Sequence, residues 1–166
     1  MDTETSEELI LPELFWQACD GMMVIDAQRR VLAMNPALQA WVGHKTAGLG
    51  CSTLLGCRDS QGCSLADRPG ACPGLRAIKT MEAVHSTQYT IQTAAGKTLI
   101  VSASYTPIQS GPGSPMRTLV VLRDITAQHR LERRLRHRAM TDPLTGLPNR
   151  ASFFEAVHRE DRKSVV

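Results

Sequence analysis

Four of the five cysteines of this 166-residue chain crowd into one stretch: Cys51, Cys57, Cys63 and Cys72. A cysteine thiolate is a nucleophile and a soft metal ligand. Four of them within 22 residues supply the ligand count of a zinc or an iron–sulfur site. Their separations are five, five and eight residues, so no C-x2-C pair is present and no common zinc-finger spacing is matched. Six of the twelve glycines also fall between residues 44 and 74, giving a backbone able to wrap a bound group. Arg58, Arg68 and Arg76 are placed to offset thiolate charge. Three readings stay open: a metal or cluster site, a thiol–disulfide switch, or small inert residues in a loop. Cys19 stands apart at the end of a helical pattern and is expected to pack in the core.

Other chemistries find less support. Haem needs an axial ligand, and His44 and His85 qualify by residue type alone. Gly111-Pro112-Gly113 lacks the Lys-Ser/Thr of a phosphate loop. Aromatic residues make up only 4% of the chain, which argues against stacking on bases and so against a nucleic-acid partner. Trp16 and Trp41 read as core residues. No apolar run reaches the roughly 18 residues of a membrane span. The acidic start, MDTETSEEL, is unlike a secretory signal. The expectation is a cytoplasmic protein with reduced thiols.

These side chains need a scaffold, and the hydrophobic pattern supplies one. Residues 7–19 have helical spacing interrupted by Pro12. Met22 to Ile25 and Val31 to Met34 read as strands joined by the turn Asp26-Ala27-Gln28-Arg29. Asn35-Pro36 is a helix cap followed by a first-turn proline, and Gly43 ends that helix. Residues 44–74 are loop-rich with short helical turns. Leu75 to Val84 is expected to be helical. Ser86 to Thr93, Lys97 to Pro107 and Arg117 to Arg123 read as strands, the second with Leu99, Val101, Ala103 and Tyr105 alternating. A long helix follows to Thr141. Five strands with helices inserted between the second and third imply an α+β fold, an antiparallel sheet with a pocket facing the insert.

Charge is uneven. Residues 1–14 carry five acids and no base, whereas residues 123–138 carry six arginines against Asp124 and Glu132. The basic stretch lies on the long helix with Leu131 and Leu135 four residues apart, the pattern of a solvated helix face.

The ordered set VIDAQRRVLAMNPA, LQAWVG and LVVLRDIT resembles the PAS family over residues 10–126, with a Cys-rich insert at 51–72. The resemblance implies a PAS-like five-stranded antiparallel sheet, followed by a signalling linker helix over 127–141, after an N-terminal tail of residues 1–9. Asp124-Ile125-Thr126 matches the family's closing triplet, and Asp124 and Thr126 can cap the departing helix, a signalling position. Some PAS domains carry a cysteine-rich insert of this general form. Gly56-Cys57-Arg58 only faintly resembles the flavin-photoreceptor subset, so flavin, like haem, is not expected.

MTDPLTGLPNRASFFEAV resembles the entry to a GGDEF domain, the diguanylate cyclase fold, over residues 142–166. Asp142-Pro143 and Asn149 serve there as helix caps. The resemblance places the catalytic residues of that family beyond Val166, so GTP chemistry is not expected of this chain by itself. It implies a sensor diguanylate cyclase, paired as a homodimer through the PAS domain and the linker helix. Leu131, Leu135 and Met140 offer a short seam for such pairing.

Overall fold

A computed structural model describes residues 13–43, 48–142 apart from 69, 110 and 112, and residues 145, 147 and 149. The chain forms two units, Met1–Ile125 and Thr126–Val166.

The first unit is built on five antiparallel strands: β1 (Gly21–Asp26), β2 (Val31–Met34), β3 (Val84–Gln92), β4 (Thr98–Ile108) and β5 (Arg117–Asp124), in the spatial order β2-β1-β5-β4-β3. Three helices fill the connection between β2 and β3: α1 (Pro36–Val42), α2 (Cys51–Leu55) and α3 (Pro73–Thr80). The α+β antiparallel architecture expected from the sequence is therefore present. Its central strands read directly. Leu99, Val101, Ala103 and Tyr105 of β4 are buried while their neighbours are not, the alternation of a sheet with one face on a core. Met23 and Ile25 of β1 and Val120 and Leu122 of β5 join them on that face, each fully buried. Each such side chain contributes about 1.5–3 kcal/mol by leaving water.

Two bulges set the phase of the outer strands. Val24 pairs with Ala33 and Ile25 with Val31, so Leu32 is the extra residue of β2 and projects half-exposed. Val31 and Met34 can then both be buried although three positions apart. In β3, Val84 pairs with Tyr105 and Thr87 with Ala103, and Ser86 takes a left-handed φ of 52° within the shift. Val84 and Tyr89, five positions apart, thereby reach the same buried face.

Asn35 locks the start of α1 to β1. Its Oδ1 accepts from the Leu38 N–H at 3.0 Å and the Met22 N–H at 2.8 Å. Its amide donates to the Asp20 carbonyl at 2.9 Å and the Ala18 carbonyl at 3.3 Å. This is the expected helix cap, fully buried and holding three segments together.

Several expectations are corrected. The helix expected over Leu75 to Val84 starts at Pro73 and stops at Thr80, because Met81 turns left-handed (φ 58°) and Val84 already pairs with β4. Cys19 is exposed rather than packed, following a helical turn over residues 13–17. Trp16 on that turn is also exposed, at 49%, whereas Trp41 packs against the core.

The second unit contains α4 (Thr126–Met140). Leu131 and Leu135 are exposed on it, and Arg130, Arg133, Arg134 and His137 cluster along it. Past its end the Asn149 amide donates to the Ala139 carbonyl at 2.7 Å, and Asp142 Oδ1 accepts from the Thr145 N–H at 3.0 Å. The expected helix after Asn149 lies outside the described residues. No helix among the described residues is long and apolar enough to cross a membrane.

Candidate functional site

The cysteine-rich segment is a set of short elements that deliver thiols to the inner face of the sheet. Cys51 opens α2 and is buried, its N–H donating to the Arg29 carbonyl at 2.8 Å. Gly56 ends α2 in the left-handed conformation (φ 54°), where a side chain is disfavoured, and this turns the chain at once into Cys57. A small hairpin follows. Leu65 N–H donates to the Cys57 carbonyl at 3.0 Å, and Asp59 N–H to the Cys63 carbonyl at 2.9 Å. Asp59 Oδ1 accepts from the Gln61 and Cys63 N–H groups, each at 2.9 Å. Arg58 and Thr90 exchange backbone hydrogen bonds at 2.9 Å, which fastens this hairpin to β3. Cys72 stands at the start of α3, with Pro73 at the first helical position.

Three of the four cysteines share one cavity. Cys51, Cys57 and Cys72 line one cavity of about 20 Å³ together with Leu55, Leu65 and Tyr105. That is room for about one water-sized particle. Its wall is almost wholly apolar. Gly74 makes the close approach possible: a Cβ there would lie 3.2 Å from the Tyr105 ring and 3.9 Å from Cys72 Sγ. Cys63, half-buried in the hairpin, is not among the cavity's lining residues. No group of three or more His, Cys, Asp or Glu side chains among the described residues is already gathered in a ligating arrangement.

Electrostatics follow from the burial. Desolvation, then the neighbouring Cys72, pushes the Cys51 thiol up to about 11, against a smaller opposing pull from Arg29. Desolvation, then Cys51 and Cys72, pushes Cys57 up to about 12, with a hydrogen bond from Tyr89 offsetting part of it. The Tyr89 and Tyr105 hydroxyls are 2.7 Å apart, and burial raises both phenols well above their ordinary value.

Two of the three expected charge partners are engaged elsewhere. Arg58 donates to the Gly62 carbonyl at 2.9 Å and closes its own hairpin, while Arg68 pairs with Asp59 at 3.5 Å. Arg29 is the arginine at the thiols, its Nη1 lying 3.7 Å from Cys72 Sγ. Arg29 sits at φ 64° in the β1–β2 turn, which Asp26 braces by accepting from the Gln28 and Arg30 N–H groups. The turn was legible in the sequence, but nothing in it pointed across 43 positions to Cys72.

Cysteine thiolates are soft donors, but Cys51, Cys57 and Cys72 line the cavity without forming a group arranged to hold a metal ion. They fit an iron–sulfur cluster poorly, which needs four thiolates and far more volume. The two haem candidates by residue type stay apart from this cavity or undescribed: His85 is exposed on β3, and His44 lies outside the described residues. Asp124 closes β5 opposite Val101, and Thr126 opens α4.

Comparison with known proteins agrees with this architecture. The chain is 24% identical over 137 residues to the probable diguanylate cyclase DgcE of Escherichia coli (strain K12), a match covering 81% of this chain but 12% of that protein. Among solved structures, a domain of a sensory box sensor histidine kinase/response regulator from Geobacter sulfurreducens superposes with a TM-score of 0.57 at 24% identity, covering 74% of this chain and 98% of that one. An RNA-binding light-oxygen-voltage receptor gives a TM-score of 0.65 at 18% identity, over 84% of this chain and 39% of that one. A PAS domain from Colwellia psychrerythraea gives 0.59 at 15% identity, over 73% of this chain and 98% of that one. The PAS fold family model matches residues 16–130. With the β2-β1-β5-β4-β3 sheet, the helical insert and that match over most of its length, the chain belongs to the PAS fold family.

Proposed function

We propose that this chain is the sensory region of a diguanylate cyclase, and that the thiol-lined cavity under its sheet is where the signal is received. The observation that carries the reading is the convergence of Cys51, Cys57 and Cys72 on one cavity against Tyr105. A metal bound there supplies a charged, exchangeable centre that responds to redox state or small ligands. The protein's own part is to gather the sulfurs, exclude water and transmit the change. Tyr105 lies on β4, which pairs with β5 through Tyr105 and Val120, and β5 runs into the segment that begins α4.

The output assignment rests on the match to the probable cyclase and on the Asp142–Arg150 run. In this reading the GTP site lies in the cyclase part, α4 sets the spacing of two copies, and Leu131 with Leu135 forms the seam between them. The setting in this reading is cytoplasmic, a compartment that keeps thiols reduced.

Anaerobic purification followed by elemental analysis and a visible spectrum tests the sensing site. Metal at about one per chain that disappears in Cys57→Ser supports it. A metal-free chain whose purified form carries a small apolar molecule in the fold would favour the other PAS mode, a ligand-binding or dimerisation module with unreactive cysteines.

A further inference from the structure

We infer that one face of α4 is a binding site for a compact oligophosphate anion, the chemistry of a nucleoside triphosphate or an inorganic triphosphate, held by Arg130, Arg133, Arg134 and His137. The site involves neither the cysteines nor the cyclase reading.

Spacing is the first ground. Positions 130, 133, 134 and 137 follow one another by three, one and three residues, which sets all four on one face of a helix. Their side chains line an open groove of about 350 Å³, within the size range of small-ligand sites. Charge is the second ground. α4 carries arginines at 130, 133, 134, 136 and 138 against a single acid, Glu132, and all of them are exposed. Glu132 accepts instead from the Gln128 amide at 3.0 Å. The ion pairs among the described residues are Arg68–Asp59 and Arg123–Asp20, neither on α4. Like charges three and four residues apart repel and oppose the helix. Arg130 stands so to Arg133 and Arg134, and Arg134 to Arg138. A bound anion replaces that repulsion with attraction.

Donor chemistry is the third ground. Each guanidinium offers paired N–H groups that match two phosphate oxygens at once. A lone carboxylate engages one such fork, whereas a chain of phosphates engages several. Lipid headgroups present similar oxygens, but a helix lying on a membrane needs a broad apolar face. The large apolar residues that α4 exposes are Leu131 and Leu135 alone. At 3.6 residues per turn these two lie about a third of a turn from the groove, so pairing through them leaves the groove open. Binding is non-covalent and displaces only water and counterions.

Calorimetric titration of the full chain with inorganic triphosphate tests this, with far-ultraviolet circular dichroism to check that each variant is folded. The expected result is one triphosphate per chain, displaced by GTP, with slower hydrogen exchange across residues 127–139. Affinity should fall about tenfold between about 0.01 M and 0.15 M salt, as the screening length shrinks from about 30 to about 8 Å. Arg133→Gln/Arg134→Gln should weaken binding by about tenfold or more. Arg30→Gln/Arg117→Gln removes the same charge from exposed arginines outside α4 and should change it less than about twofold. Equal weakening in the two double variants would reduce the effect to net charge and overturn the site. So would the absence of triphosphate binding at low salt. Retention on phosphatidylserine vesicles that triphosphate does not displace would assign this face to a membrane and overturn the free-anion site.

Discussion

The raised thiols make a quantitative statement about reactivity that a simple exchange experiment can check. At pH 8 a thiol at about 12 is ionised in about one molecule in ten thousand, against about one in ten at the ordinary 9.0. Cys57 therefore starts with about a thousandfold less of the reactive form. A more basic thiolate is intrinsically the better nucleophile, and a Brønsted coefficient of about 0.4–0.5 over that interval returns about twentyfold. The net expectation is exchange about 50-fold slower than for the same cysteine in the denatured chain. For Cys51, at about 11, the same reasoning gives about tenfold. Steric burial can only slow both further. The assay is reaction with a small symmetric disulfide at pH 8, in buffer and in urea, with each peptide followed by mass spectrometry over time. Exposed Cys19 is the internal standard and should react at nearly its denatured rate. If native Cys57 reacts within about fivefold of its denatured rate, the burial and charge account of this cavity is wrong. A thiol so protected is also a poor peroxide target, which weighs against a simple thiol–disulfide switch.

Three further outcomes follow from the same contacts. Asn35→Ala leaves the Met22 and Leu38 N–H groups and the Ala18 and Asp20 carbonyls without their partner, so urea denaturation should show a loss of about 3 kcal/mol; a loss under about 1 kcal/mol would remove Asn35 as the lock on α1. Because the folded-state values of Cys51 and Cys57 are raised, their contribution is complete below pH 9 and declines as pH climbs from 9 toward 11 and 12. Between pH 8 and pH 10 the Cys57→Ser variant should lose about 1 kcal/mol less stability than the wild type, and equal losses would contradict the raised value. Gly74→Ala places a methyl 3.2 Å from the Tyr105 ring, which must give by a few tenths of an ångström, so tyrosine absorbance should change, whereas an unchanged spectrum would mean the contact is loose.

How far the sequence reached depended on the range of each interaction. Local signals were reliable. Asn35-Pro36 announced α1, and the alternation from Leu99 to Tyr105 announced β4, because both depend on neighbours along the chain. The bulges at Leu32 and Ser86 were not legible, since a bulge is defined by the partner strand. Neither was the left-handed Met81, a residue type that rarely ends a helix that way, so α3 was placed too far along the chain. The cysteine group was found by spacing alone. Spacing could not say that Cys63 would stay off the cavity that the other three line, nor that Tyr105, bonded to Tyr89, would form part of its wall. Arg29 was the least visible, because its role depends on a turn braced by Asp26 and on a residue 43 positions away.

The central claim is that the thiol cavity is felt by the sheet that leads to α4. Hydrogen exchange on the reduced full chain, with and without one equivalent of Zn2+, measures this most directly. The account predicts slower exchange in residues 51–57 and 72–80, extending along β4 and β5 around Tyr105 and Val120, with the effect absent in Cys57→Ser. Protection confined to the hairpin around Cys63, or no change in β4 and β5, would contradict it.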